Sequence, residues 1–205
     1  MSDDMQALMT LAPVIPVLVV DDVAHARPLA EALVAGGLPV LEVTLRTPAA
    51  LAVIAEMAQV PGAIVGAGTV LSAADLSAAL AAGARFAVSP GITAALGSAA
   101  RARGVPFLPG VSTASDIIRA LELGFNRVKF FPAEAAGGLP ALRALAAPFG
   151  GVQFCPTGGI TADSAASWLA EPAVACVGGS WIAKRGESDW ATIEARARAA
   201  AGLRG

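Results

Sequence analysis

Short apolar runs alternate with longer stretches of helical spacing along almost the whole chain. The runs lie at 14–20 (VIPVLVV), 38–45 (LPVLEVTL), 63–67 (AIVGA), 86–89 (FAVS), 106–108 (PFL), 126–131 (NRVKFF), 152–155 (VQFC) and 173–178 (AVACVG). Between them, Ala- and Leu-rich stretches such as 25–35, 48–58, 72–82, 92–103, 113–123 and 161–170 repeat their apolar positions three and four residues apart. Successive runs start 24, 25, 23, 20, 20, 26 and 21 residues apart. Each interval holds one strand, one helix and two short loops, the βαβ pattern of a parallel sheet whose crossover helices cover it. Eight such units predict an α/β fold of the (β/α)8 TIM-barrel type, a single domain over 1–205 and near the minimum size for that fold. A doubly wound open sheet is the competing arrangement. Residues 2–11 predict an extra N-terminal helix before the first strand, and 190–200 a closing one. Ser72 and Thr113 are expected N-caps, and Gly83, Gly104 and Gly124 are expected helix ends.

Composition narrows the function classes. Of 205 residues, 56% are hydrophobic and 15% charged, which means a large buried fraction and a surface suited to an oligomer. The apolar runs are shorter than the roughly 20 residues that span a bilayer. The acidic start Ser2-Asp3-Asp4 lacks a basic n-region, so no secretory signal and a cytoplasmic location are expected. A net charge of −2 and dispersed arginines give no nucleic-acid footprint. The chain has one histidine, His25, and two cysteines, Cys155 and Cys176, in apolar surroundings. A multi-histidine zinc site is therefore excluded, no metal is expected, and the thiols read as small buried side chains.

Polar residues inside apolar strands carry the chemical signal, because barrel active sites sit at the C-terminal ends of the strands. In 38–45 the two-residue period places Val40, Glu42, Thr44 and Arg46 on one face and Leu41, Val43 and Leu45 on the other. The all-apolar face must meet the helices, so Glu42 points inward, where an acid is costly unless paired or solvated. A structural ion pair with Arg46 is one reading of that acid. In 126–131, Arg127, Lys129 and Phe131 share the inward face. Lys129 is one of only two lysines, the other being Lys184 in a polar loop. Arginine stays protonated near neutral pH, whereas a desolvated lysine can lose its proton and attack a carbonyl, with Glu42 ferrying protons. The alternative for Lys129, an outward residue snorkelling to water, conflicts with its apolar neighbours.

Two glycine turns follow the last strands: Thr157-Gly158-Gly159 before a helix, and Gly178-Gly179-Ser180. Bare amides at these places suit a phosphate group, although tight βα turns also use glycine. Thr69 in GAGT and Pro90 in Ser89-Pro90-Gly91 end the third and fourth strands and are suited to shaping a pocket. Asp21-Asp22 read as helix-capping residues, His25 as a helix-surface residue, and Trp168, Trp181 and Trp190 as packing or interface residues. From residues alone, an isomerase or epimerase with an electrostatic Lys129, or a non-catalytic ligand-binding role, also remains open. The latter leaves the inward Glu42 and Lys129 without a purpose.

The segments VIPVLVV, LVAGG, LEVTLRT, IVGAGTVL, VSPGIT, LPGVST, VKFFPAEAAGG, FCPTGGIT and VGGSW occur in the order found in the KDPG/KHG aldolase family, which the chain resembles over nearly its whole length. The resemblance implies a metal- and cofactor-independent homotrimeric barrel that reversibly cleaves a phosphorylated 2-keto acid, 2-dehydro-3-deoxy-6-phosphogluconate, to pyruvate and glyceraldehyde 3-phosphate. It also implies activity on 4-hydroxy-2-oxoglutarate, with the galactonate epimer as the alternative substrate. By the same resemblance Lys129 is the Schiff-base residue and Glu42 the acid/base. Arg46, Thr69 and Pro90 form the carboxylate pocket, Phe131 lies beside the carbon chain and Thr157 contacts the substrate hydroxyls. Gly158, Gly159, Gly178, Gly179 and Ser180 form the phosphate site. Related galactonate aldolases tend to have an aliphatic residue in place of Thr157, which favours the gluconate substrate here.

Overall fold

The computed structural model describes residues 2–204. Among the described residues, nine short strands alternate with helices except between the fifth and sixth: β1 (Val14–Leu18), β2 (Val40–Thr44), β3 (Ile64–Gly68), β4 (Phe86–Val88), β5 (Phe107–Leu108), β6 (Gly110–Val111), β7 (Arg127–Phe130), β8 (Gln153–Pro156) and β9 (Val177–Gly179). All their pairings are parallel. Six strands form one sheet in the order β5-β4-β3-β2-β1-β9, and three form a second in the order β6-β7-β8. The predicted fifth run, 106–108, holds β5, and β6 follows beyond it, with Pro109 alone between the two. A proline has no N–H to give to a ladder, so Pro109 joins it through its carbonyl alone, which accepts from the Lys129 amide at 2.8 Å. Isolated bridges Phe154↔Val174 and Thr157↔Gly178 connect the end of β8 to the segment that becomes β9. The eighth run therefore forms its strand four residues later than its apolar start predicts.

The helices fall within the predicted stretches: α2 (Ala26–Ala35), α3 (Ala50–Met57), α4 (Ala73–Ala81), α5 (Ala94–Ala102), α6 (Ala114–Glu122) and α8 (Ala162–Leu169). The longest strand-to-strand interval contains α7 (Gly138–Ala146), and α9 (Trp190–Ala201) follows β9. Ser72 and Thr113 cap α4 and α6 as expected, accepting hydrogen bonds from the amides of Asp75 and Asp116. Beyond the ends of α4, α5 and α6, Gly83, Gly104 and Gly124 take φ of 100°, 62° and 79°, the left-handed conformation that terminates a helix at little cost only for glycine.

The strands bury both faces. Their outward residues, among them Leu41, Val43, Val65, Val128 and Phe154, join the helices in the larger apolar cluster. Inward residues Ile15, Val40, Phe86, Val88, Leu108, Cys155 and Cys176 form a second cluster. The helix α1 (Ser2–Thr10) supplies Met5 and Met9, four residues apart and on one face, to that inner cluster. Burial of each is worth about 1.5–3 kcal/mol, which is why a helix precedes β1 at all. Phe86 lies against Gly66, where a side chain would collide with the ring. Apolar filling thus occupies part of the interior and leaves the polar residues near the C-terminal strand ends. Among the described residues, no helix is long and apolar enough to cross a membrane.

Candidate active site

Glu42 and Lys129 meet inside the sheet. Glu42 lies mid-strand in β2, in register with Val17 of β1 and Gly66 of β3; Lys129 lies in β7, in register with Gly110 and Cys155. The lysine Nζ donates to Glu42 Oε1 at 3.0 Å, with Oε2 at 3.4 Å. Only 4% of Lys129 and 2% of Glu42 is exposed. Two charges this well hidden cost several kcal/mol each to desolvate, and their attraction offsets that cost only in good geometry. Glycine creates the space for the acid: a Cβ on Gly68 would lie 2.7 Å from Glu42 Cγ and closer still to its carboxylate. The Phe131 ring centroid is 5.4 Å from Nζ, a distance that permits a cation–π contact and gives the amine an apolar wall.

The remaining predicted positions surround this pair to different degrees. Gly110, beside Lys129 in register, has no room for a Cβ because the Pro90 backbone lies against it; Pro90 is thereby held next to the lysine strand. Thr157 is buried just past β8, its hydroxyl 3.4 Å from the Cys155 carbonyl and 3.9 Å from the Cys155 thiol. A Cβ at Gly178 would lie 2.8 Å from Thr157 Cγ2, so this glycine fixes the threonine's place. Thr69 follows β3 with φ of 59°, a conformation a β-branched residue adopts only under strain of about 1–3 kcal/mol.

Arg46 extends from the end of β2 and is exposed. Among the described residues, its guanidinium makes no ion pair or hydrogen bond, so the acid's partner is Lys129 and not Arg46. The segment beneath it is fastened on both sides. Thr44 Oγ1 donates to the Leu18 carbonyl at 2.8 Å, Thr47 Oγ1 to the Val20 carbonyl at 2.7 Å, and the Leu45 amide to the Gly68 carbonyl at 2.8 Å. These two threonine clamps were not singled out in the sequence; their signal is a hydroxyl on each side of an arginine at a strand end.

The two glycine turns stand together because Thr157 bridges to Gly178. Gly158 and Gly159 have φ of 104° and 82°, and none of the amides of Gly158, Gly159 and Ser180 finds an acceptor among the described residues. Amides left without an acceptor in a turn that leads into a helix are of the kind that can receive an anion. Elsewhere, Asp22 caps the turn Val23–His25, whereas Asp21 forms a two-pronged surface pair with Arg185. Those hydrogen bonds hold the Asp21 carboxyl below its usual value. His25 packs edge-on to Trp190, and Trp181 lies against Gly179. Both cysteines are buried and not joined in a disulfide. Among the described residues, no group of three or more His, Cys, Asp or Glu side chains is placed to hold a metal ion.

A hidden amine touching a carboxylate can form an imine with a keto acid and pass protons through that carboxylate. Comparison with known proteins points the same way. The family model for KDPG and KHG aldolase matches residues 5–196. A 2-dehydro-3-deoxy-phosphogluconate aldolase of Zymomonas mobilis is 56% identical over 201 residues, covering 98% of this chain and 97% of that protein. The crystal structure of the 2-keto-3-deoxy-6-phosphogluconate aldolase of Zymomonas mobilis with 3-phosphoglycerate superposes with a TM-score of 0.98 at 55% identity, covering 100% of this chain and 98% of the other. The KDPG aldolase of Legionella pneumophila, with pyruvate captured as a covalent carbinolamine, has a TM-score of 0.93 at 44% identity and covers 96% and 98% of the two chains.

Proposed function

The chain belongs to the KDPG and KHG aldolase family, and we propose that it cleaves 2-dehydro-3-deoxy-6-phosphogluconate reversibly to pyruvate and glyceraldehyde 3-phosphate through an imine on Lys129. The observation that carries this reading is the buried 3.0 Å contact between Lys129 Nζ and Glu42. An amine must be uncharged to attack, and the carboxylate at hydrogen-bond distance is the group that takes its proton.

Nζ adds to the C2 carbonyl, giving a carbinolamine; loss of water, with the proton delivered by Glu42, leaves an iminium. The iminium withdraws the electron pair of the C3–C4 bond as the C4 hydroxyl proton passes to Glu42, directly or through water. Glyceraldehyde 3-phosphate departs and an enamine remains on the lysine. Protonation at C3 restores the iminium, and water releases pyruvate and the free amine. In this scheme one carboxylate serves every proton transfer, which fits its place beside the nitrogen and away from bulk water.

Arg46 is the cation at the rim suited to the substrate carboxylate, because its fork of donors is free. Thr69 and Pro90 complete that end of the pocket, Phe131 walls the carbon chain, and Thr157 meets the hydroxyls. Gly158, Gly159, Gly178, Gly179 and Ser180 receive the phosphate. The same machinery serves 4-hydroxy-2-oxoglutarate, giving pyruvate and glyoxylate. A threonine at position 157 favours the gluconate over the galactonate epimer, the alternative substrate. We read the two sheets as one (β/α)8 barrel and the chain as a single domain over 1–205. The hydrogen bond from the Lys129 amide to the Pro109 carbonyl, between β5 and β6, and the bridges Phe154↔Val174 and Thr157↔Gly178 support closure. A homotrimer in the cytoplasm accords with the family and with the sparse surface charge.

A coupled assay for pyruvate release on the gluconate, galactonate and unphosphorylated substrates tests the reading. It stands if the phosphorylated gluconate compound is turned over with the highest kcat/KM, and it falls if none of the three yields pyruvate.

A further inference from the structure

Glu134, the last residue of the KFFPAE segment, has no role in the chemistry above, yet the fold holds it in one place. Its amide donates to the Gly158 carbonyl at 3.0 Å, and the preceding amide of Ala133 donates to the Thr157 carbonyl at 2.8 Å. The segment after β7 therefore runs paired along the Thr157–Gly158 turn. The stem of Glu134 covers Gly159: a Cβ on that glycine would lie 2.7 Å from both Glu134 Cβ and Cγ. The carboxylate itself is directed away, and its Oε1 accepts a hydrogen bond from the indole Nε1 of Trp168 at 3.0 Å.

Trp168 lies in α8, the helix that follows the glycine turn, and is almost fully buried against the core, with its ring tilted toward Phe130. A buried indole N–H needs an acceptor, and an ionised one makes the bond stronger than a neutral partner would. The bond thus connects three elements at one point: the loop after β7, the turn after β8 and the helix α8. Gly159 stands between them at φ of 82°, with its amide free of any partner among the described residues. Glycine moves readily about both backbone bonds, so an amide there keeps one direction only if its surroundings impose it. The orientation also matters for charge. A carboxylate swinging onto the cradle would repel an anion, whereas one tied to Trp168 presents its methylenes to Gly159 and keeps its oxygens on the α8 side.

We propose that Trp168 and Glu134 are positioning residues for the phosphate cradle, acting through Gly159 rather than by touching the substrate. The inference rests on the reading of the glycine turns as the phosphate site. It predicts a selective defect: loss of the tether weakens recognition of the phosphorylated substrate and leaves imine chemistry at Lys129 in place.

The test compares the parent with Trp168→Phe, Glu134→Ala and Glu134→Gln on 2-dehydro-3-deoxy-6-phosphogluconate and on unphosphorylated 4-hydroxy-2-oxoglutarate, with inorganic phosphate as a competing inhibitor. In Trp168→Phe and Glu134→Ala the ratio of kcat/KM for the phosphorylated over the unphosphorylated substrate falls about tenfold, the size expected for one charge-assisted hydrogen bond. The change resides in KM, and inhibition by inorganic phosphate weakens in parallel. Glu134→Gln, which keeps an acceptor for the indole, restores most of the ratio. Glu134 is exposed, so its variants report even if Trp168→Phe folds poorly. An equal loss on both substrates, or an unchanged ratio in Glu134→Ala, overturns the inference. A parent that turns over neither substrate and forms no borohydride adduct with pyruvate overturns the aldolase reading as well, and the two failures are thereby told apart.

Discussion

Lys129 and Glu42 are 87 positions apart in sequence, yet their side chains meet at 3.0 Å with almost no exposure to water. The pairing joins β2 to β7 across the interior. Each residue explains the other's presence there, since either charge alone at that depth is heavily penalised. If the amine is the nucleophile, borohydride added with pyruvate leaves a stable secondary amine on Lys129. Peptide mapping of the parent finds the adduct on that residue, and Lys129→Met yields none. An active parent that gives no adduct removes the imine mechanism.

The carboxylate has a kinetic signature of its own. Glu42→Gln retains shape and one hydrogen-bond acceptor but takes up no proton, and it is expected to lower kcat by about a hundred- to ten-thousandfold. Its circular dichroism should match the parent's. Parent-like turnover in this variant eliminates the acid/base role.

Stability distinguishes the pair from two independent charges. Lys129→Met leaves Glu42 buried without its partner, which costs about 3–5 kcal/mol in urea unfolding. Adding Glu42→Gln to Lys129→Met removes that orphan charge and recovers part of the loss, with a coupling of about 1–3 kcal/mol. Strictly additive losses would mean the two side chains do not interact in solution.

Gly68 supplies a test at a residue that does no chemistry. A methyl group there occupies the space of the Glu42 carboxylate, and interiors are packed too tightly to absorb it without moving one of the two. Gly68→Ala is expected to destabilise by about 1–3 kcal/mol, as overpacking does, and to lower kcat more than it raises KM. A variant with parent kinetics shows that the acid's position is not critical.

How far this could be read in the sequence follows from what each signal depends on. The inward direction of Glu42 and Lys129 came from strand alternation, which is local, and the apolar face left only one orientation. Their mutual contact was not local, and an ion pair with Arg46 was the competing reading; only the strand order brings Lys129 to the acid. The break between β5 and β6 is visible in retrospect as Pro109, the residue just past the 106–108 run. The Trp168–Glu134 bond left no such trace, because an indole in an amphipathic helix reads as packing until the fold shows what its N–H meets. Asp21 likewise read as a cap, since nothing near it in sequence names Arg185, 164 positions away.

Arg46 should govern affinity rather than rate. It is exposed and unpartnered among the described residues, and the clamps from Thr44 and Thr47 hold its backbone. Arg46→Lys keeps the charge but not the planar fork, and is expected to raise KM for the keto acid by about tenfold with kcat changed much less. Arg46→Ala should raise it further. An unchanged KM in the alanine variant places the carboxylate elsewhere.

Thr69 is the one residue where stability and function should part. It is β-branched and sits at φ of 59°, a strain of about 1–3 kcal/mol that the surrounding fold must hold. Glycine relieves that strain, but it also adds about 0.4–1 kcal/mol of backbone freedom to the unfolded chain. Thr69→Gly is therefore expected to leave stability unchanged or raised by about 1 kcal/mol, where a Thr→Gly change in ordinary extended backbone would destabilise. The hydroxyl and methyl are lost from the pocket wall at the same time, so KM for the keto acid rises. Urea unfolding and steady-state kinetics on the same sample separate the two effects. A variant that is destabilised by more than about 1 kcal/mol would mean that Thr69 contributes contacts worth more than its strain, and the residue would then be structural rather than a strained element of the site.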